Sequence, residues 1–231
     1  MMDFFHHRDH RENLSARHGT PHFSVVSVFS VVKVFFLLCF FCASLAHADA
    51  LDQLKSFAAQ VQSARGEFTQ QVTRAGKKPQ QSSGQFLFAR PGKFRWTYTQ
   101  PYDQVLVADG VKLFIYDKDL NQVTVRKLNN ALDSSPAAIL FGSQTLENVY
   151  VLKDGGNRDG LDWVEAKPKS KDSTFEKILI GLKDDQPAAM ELLDNFGQST
   201  TLKFIKFERN PALPAESFRF APPKGADVLE Q

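Results

Sequence analysis

The apolar positions of this chain change period once. Leu51, Leu54, Ala58 and Val61 recur at steps of three and four, the spacing of one helical face, and Gly66 follows as a stop. Beyond it the period falls to two. Segments 67–74, 84–89, 93–100, 104–108, 112–117 and 122–128 read as short strands divided by turn residues, with Asp109-Gly110 as a hairpin signal. Segment 132–142, LDSSPAAILFG, interrupts them with serine caps, Pro136 near a first helical turn, and an apolar run too short to hold a helix alone. Strands resume near 149–153, 161–167, 176–182, 188–193 and 199–208, turned by Asp154-Gly155, Asp159-Gly160 and Asn195-Phe196-Gly197.

That pattern gives about eleven strands with no long helix between any two, so the helical crossovers of a parallel sheet are missing and antiparallel pairing follows. A sheet so large curls toward a barrel, and its concave side must be filled. The fold expected from the pattern is mainly β: an antiparallel sheet of about eleven strands that closes or nearly closes into a barrel. The expected organisation is a removable leader over 1–48 and a single domain over 49–231.

The filling is suggested by residues 86–101, FLFARPGKFRWTYTQP. Phe94, Trp96 and Tyr98 alternate with Arg95, Thr97 and Thr99, and Phe86 and Phe88 share a face of the preceding strand. A short loop joins the two, so a hairpin sets these rings on one wall. Val105 and Val107, Leu113 and Ile115, then Val123 and Val125 are offered by the strands that follow. Either the rings are ordinary packed core, or they line a hollow shared by two short amphipathic helices and a ligand. Arg90, set against Pro91-Gly92, has two readings as well. It is a solvated charge at a strand end, or a fork of donors for the unpaired carbonyls of a helix terminus.

The front of the chain reads as an address. Charged and polar residues run to Lys33, residues 34–43 are apolar, and Ala46-His47-Ala48 matches a signal-peptidase site, which predicts cleavage after Ala48. The leading region is far longer than usual for such a signal, which points either to a start assigned too far upstream or to a non-Met start near Val31. Segment 23–46 is long enough to span a bilayer, but Lys33 within it and the Ala-His-Ala exit favour a signal peptide over an anchor. Leu38 and Phe41 precede Cys39 and Cys42 where a lipid-attachment site wants small residues.

Cleavage there removes all the histidines (His6, His7, His10, His18, His22, His47) and both cysteines. Disulfides, thiolate nucleophiles, histidine-based triads and the usual zinc ligands go with them. The whole chain carries 28 basic and 26 acidic residues. Arg8, Arg11, Arg17 and Lys33 leave with Asp3, Asp9 and Glu12, so the rest stays near neutral and offers no electrostatic case for nucleic acid or an anionic membrane. Gly92-Lys93 lacks the earlier glycine of a phosphate loop, and Gly142-Ser143-Gln144 is not a nucleophile elbow. Scattered turn carboxylates such as Asp117, Asp119, Asp184 and Asp185 read as solvation, with a two-carboxylate glycosidase left open. No cofactor, metal or enzymatic activity is expected.

Several stretches together resemble a known family: FTQQV (68–72), ARPGKFRWTYTQP (89–101), LVADGVKLFIYD (106–117), SPAAIL (135–140) and FRFAPPKGADV (218–228). The chain resembles the LolA-type periplasmic carriers, which move lipoproteins from the inner to the outer membrane. The resemblance implies a mainly β fold, an incomplete, unclosed antiparallel barrel of about eleven strands under a short α-helical lid, with acyl chains held among Phe68, Phe86, Phe88, Phe94, Trp96, Tyr98, Leu113, Ile115 and Ile139. It implies that Arg90 latches the lid through carbonyls near Ala58, Leu140 and Phe141, and that Phe94 engages partner proteins. The implied partners are outer-membrane-directed lipoproteins as cargo, the inner-membrane ABC complex that releases them, and the outer-membrane receptor that accepts them; the carrier itself is a monomer. A sensor of lipids or lipoproteins with the same fold is the alternative.

Overall fold

The computed structural model describes residues 49–128, 140 and 146–231. The expectations for the leader, for Ile139 and Phe141, and for most of segment 132–142 lie outside the described residues.

Helix α1 (Ala50–Gln60) starts at Asp49, whose carboxylate accepts from the Leu51 amide at 3.4 Å while its carbonyl accepts from Gln53 at 3.0 Å. A side-chain acceptor at that position takes up one of the free amides of the first turn. The buried stripe is Ala50, Gln53, Leu54 and Phe57, continued by Val61 at the C-cap. Ala58 is exposed, a correction to the expected stripe. The ring of Phe57 has far more apolar surface to withdraw from water than the methyl of Ala58, and it sets the rotation of the helix. Gly66 does not end the helix either; it lies inside the first strand.

The strands are β1 (Ser63–Thr73), β2 (Gln80–Ala89), β3 (Lys93–Gln100), β4 (Gln104–Asp109), β5 (Lys112–Asp117), β6 (Gln122–Lys127), β7 (Tyr150–Arg158), β8 (Leu161–Pro168), β9 (Phe175–Lys183), β10 (Gln186–Asp194), β11 (Ser199–Arg209) and β12 (Asp227–Glu230). One helical turn, α2 (Leu146–Val149), precedes β7, and a 3-10 turn (Ala215–Phe218) precedes β12. They form a single sheet in the order β12-β6-β5-β4-β3-β2-β1-β11-β10-β9-β8-β7. Its outer strands are β12 and β7, so the sheet stays unclosed, as expected.

All pairings are antiparallel except that of β12, which runs parallel to β6 with Asp227 opposite Gln122 and Glu230 opposite Val125. The argument from missing helical crossovers applies to strands that follow each other closely. Here the crossover is the whole second half of the domain. A bulge between Arg65 and Glu67 on β1 faces the irregular stretch of β11 where Lys206 has φ +51°. Bulges of this kind bend and twist a sheet locally, which helps it curl around what it covers.

The two faces are filled by different elements. Helix α1 packs against β7, β8, β9 and β10 on one face. The opposite face of β3–β6 is met by the C-terminal segment: the 3-10 turn packs on β3 and β4, and Phe220 lies 5.5 Å from Phe114 and 5.9 Å from Tyr116. Val105, Val107, Val123 and Val125 are in register with Phe114, Tyr116 and Thr97, so they belong to this second face rather than to the aromatic wall. The register of one more residue decides the face in a strand, and these short alternating runs looked equally good either way.

Candidate functional site

The wall is assembled rung by rung from strand register. Ala64, Phe88, Phe94, Ala108 and Leu113 are opposite one another across β1 to β5. The next rung is Gly66, Phe86, Trp96, Leu106 and Ile115, and the third holds Phe68, Gly84 and Tyr98. From Phe68 the same face continues through Phe204, then Leu202, Met190, Ile180 and Val164 along the other half of the sheet. Sequence reasoning thus found one half of the wall and missed the other.

The rings pack on each other. Phe68 stacks on Trp96 with centroids 4.0 Å apart, Phe86 also stacks on Trp96 at 5.8 Å, and Phe204 and Phe207 meet Phe86 at 5.6 and 5.4 Å. Gly66 makes the room: a Cβ there would lie 2.7 Å from Cζ of Phe86, so only a residue without one lets the ring lie on the strand. Phe68, Phe86, Phe88, Phe94, Trp96, Tyr98 and Leu113 are all buried, and Ile115 packs partly buried against them. In this state the wall is closed on itself and under α1, whose Phe57 meets Phe88 at 6.2 Å and Phe207 at 6.0 Å edge to face.

Arg90 stands where helix and wall meet. Its Nε donates to the Val61 carbonyl at 3.1 Å, and its amide donates to the Gln62 carbonyl at 2.7 Å. The guanidinium lies 5.5 Å from the ring centroid of Phe57 and 5.4 Å from that of Phe88, one ring from the helix and one from the wall. Burial lowers its pKa from the ordinary arginine value. A guanidinium starts so high that it stays charged and keeps all its donors. The expected helix partner was near Ala58; the bond goes one turn further on, to the C-cap, where a helix leaves carbonyls without internal donors. Leu140 is buried in the same apolar cluster. Phe94 is fully buried at the centre of its rung.

Asn210 completes the clasp on the helix end. Its Oδ1 accepts from the amides of Gln62 at 2.8 Å and Ser63 at 3.3 Å, while its Nδ2 donates to the Gln60 carbonyl at 3.1 Å. The residue sits at φ +52°, a conformation asparagine tolerates better than most. Neither Asn210 nor Phe207 was singled out from sequence. Phe204 and Phe207 are three apart in a strand, which breaks the alternation, and only the irregularity at Lys206 puts both on the wall.

An open curved sheet whose apolar face is covered by a helix, with one half-buried cation where the two meet, has the form of a binding protein. The matched family model is LolA, described as outer membrane lipoprotein carrier protein LolA, over residues 59–221. The chain belongs to that family. It is 58% identical over 190 residues to an outer-membrane lipoprotein carrier protein of Cupriavidus necator, covering 80% of this chain and 90% of that one. A protein of the same description from Dechloromonas aromatica is 50% identical over 201 residues, covering 86% and 97%. Among solved structures, the LolA superfamily protein NE2245 from Nitrosomonas europaea is 12% identical, with a TM-score of 0.46 over 75% of this chain and 98% of that one.

Proposed function

We propose that the protein carries lipoproteins between membranes by sheltering their acyl chains on the aromatic wall, and that α1 and the Arg90 latch close that wall when it is empty. The observation that carries the reading is the position of Arg90, bonded to the Val61 carbonyl and in contact with both Phe57 and Phe88. A cation half-buried between a helix end and a ring wall carries a desolvation cost that a purely apolar contact would not. It suits a contact that must form and release.

The physics of the cargo demands such a device. Each buried methylene of an acyl chain contributes about 0.8 kcal/mol, so a lipid-modified protein does not cross an aqueous compartment unaided. Segment 59–221 belongs to a carrier family, and no nucleotide motif was found in the sequence to drive release. Release then depends on differences in affinity between states and between partners. Loading separates α1 from the wall and gives up the latch; unloading restores both. Phe94, inaccessible in the closed form, becomes available to partner proteins when the wall opens.

Under this reading an inner-membrane ABC complex loads the carrier and an outer-membrane receptor unloads it, with the protein working as a monomer in the periplasm. The leader over 1–48 is removed after Ala48. In support, Asp49 caps α1 as the first residue of what remains, and among the described residues no helix is long and apolar enough to cross a membrane. Mass spectrometry of the protein purified from periplasm tests the whole proposal. Diacylated lipoproteins released by detergent support it, whereas a preparation free of lipid-modified protein after loading in membranes overturns it; signalling without exchange of cargo would favour a sensor.

A further inference from the structure

The wall changes character at the end away from Arg90. The Trp96 ring stacks with both Phe68 and Phe86, yet its indole Nε1 is buried with no well-formed hydrogen bond, only a weak contact to the Tyr98 hydroxyl. Native interiors rarely leave a buried donor unpaired, and one that persists calls for an explanation. One rung further along, the Tyr98 hydroxyl donates to Gln70 Oε1 at 3.0 Å, and its ring lies 5.5 Å from Tyr102. Burial, and then the neighbouring Tyr102, raise the pKa of Tyr98, which keeps it a donor.

Gln70 and Tyr102 in turn line a cleft of about 260 Å³ with Gln80, Ser82 and Pro101. From Phe88 to this cleft the surface passes from purely apolar, through an indole N–H and a phenol, to amides and a hydroxyl. A diacylglyceryl group has the same sequence of chemistry. Its chain ends are pure hydrocarbon, its ester carbonyls are neutral acceptors, and its glycerol end joins a polar peptide.

We propose that the Trp96 indole N–H is a specificity-determining donor to an ester carbonyl of the cargo lipid, which sets the glycerol end at the Gln70–Tyr102 cleft and the chain ends toward Phe86 and Phe88. The inference rests on the carrier reading and adds to it a direction of insertion and a preference for ester linkage. Hydrocarbon alone would leave the indole as unsatisfied in the loaded state as in the empty one. An ester carbonyl pairs with it only in the loaded state, so the bond favours cargo specifically.

The test compares two synthetic lipopeptides, one with a diester-linked and one with a diether-linked pair of C16 chains on an S-glyceryl cysteine peptide. The intact mature protein is expected to bind the diester about tenfold more tightly, equivalent to about 1.4 kcal/mol. Trp96→Phe keeps a ring but removes the N–H; it should equalise the two ligands by weakening the diester alone. In a Trp163→Phe background, replacing Trp96 by 3-benzothienylalanine exchanges N–H for sulfur at nearly constant shape, and the same loss of preference is expected. Equal binding of the two ligands by the unaltered protein, or a preference that survives both replacements, overturns the inference and leaves the carrier reading standing. Binding of neither ligand sinks both.

Discussion

Replacing Arg90 by Leu removes a defined set of contacts while sparing the backbone bond from residue 90 to the Gln62 carbonyl. The lost hydrogen bond to Val61 is charge-assisted, a class worth roughly 1.5–3 kcal/mol. The two ring contacts of the guanidinium add about 0.5–2 kcal/mol at a partly desolvated site. Leucine recovers some of this by covering the same rings, so the closed form should lose about 2 kcal/mol net. Two consequences follow from one number. The empty protein melts lower, by about 2–4 °C per kcal/mol for a domain of this size. Because closure no longer competes as strongly with cargo, a diacyl lipopeptide should bind more tightly, by up to about thirtyfold. Loading survives and handover to an acceptor stalls. The assay is a melting curve, a lipopeptide titration and a two-component transfer reaction on the same preparation. Unchanged affinity together with normal transfer would refute the latch, whatever the melting temperature does.

Two further outcomes are expected. Gly66→Val places methyl groups where the Phe86 ring lies, with contacts of 2.7 and 2.8 Å to ring carbons already at the Cβ. Overpacking of this kind costs about 1–3 kcal/mol, readable as a lowered midpoint in urea, and an unchanged midpoint would show that the ring is not seated on the strand. Tyr98 supplies a pH signature: burial raises its pKa above the ordinary 10.0, so the unfolded chain gives up this proton before the folded one. Its contribution is complete below pH 10.0 and declines as pH rises beyond it, hence stability should fall more steeply between pH 10 and 11.5 than in Tyr98→Phe. Parallel curves for the two proteins would place the hydroxyl in water.

What the sequence made legible was set by local pattern. The alternation of Phe94, Trp96 and Tyr98, and the hairpin that pairs them with Phe86 and Phe88, depends on period two and a short loop, both visible in one window. The antiparallel pairing followed from the absence of long helices between strands, whereas the unclosed form came with the family resemblance. The rest needed contacts at long range. Asn210 clasps Gln60, Gln62 and Ser63 from the far end of the domain, and no local signal marks an asparagine for that work. Phe204 and Phe207 reach one wall only because β11 is irregular at Lys206. The valines of β4 and β6 were placed on the wrong face because alternation shows which residues share a face and not which face of the sheet it is: β6 sets Val123 and Val125 against Thr124 and Arg126, yet its valines fall on the side of Phe114 and Tyr116. Arg90 was recognisable as odd beside Pro91-Gly92, but its partner, Val61, depended on where α1 ends.

The claim that the ring wall beneath α1 is the surface acyl chains occupy can be read directly from Trp96. In Trp163→Phe the only remaining indole is the one stacked on Phe68 within that wall. Adding a lipopeptide whose acyl chains carry bromine near their middle should quench Trp96 emission in step with binding, and the unbrominated lipopeptide should restore it by competition. Saturating binding of the brominated ligand with Trp96 emission untouched would mean that the chains go elsewhere and that the wall is a permanent core.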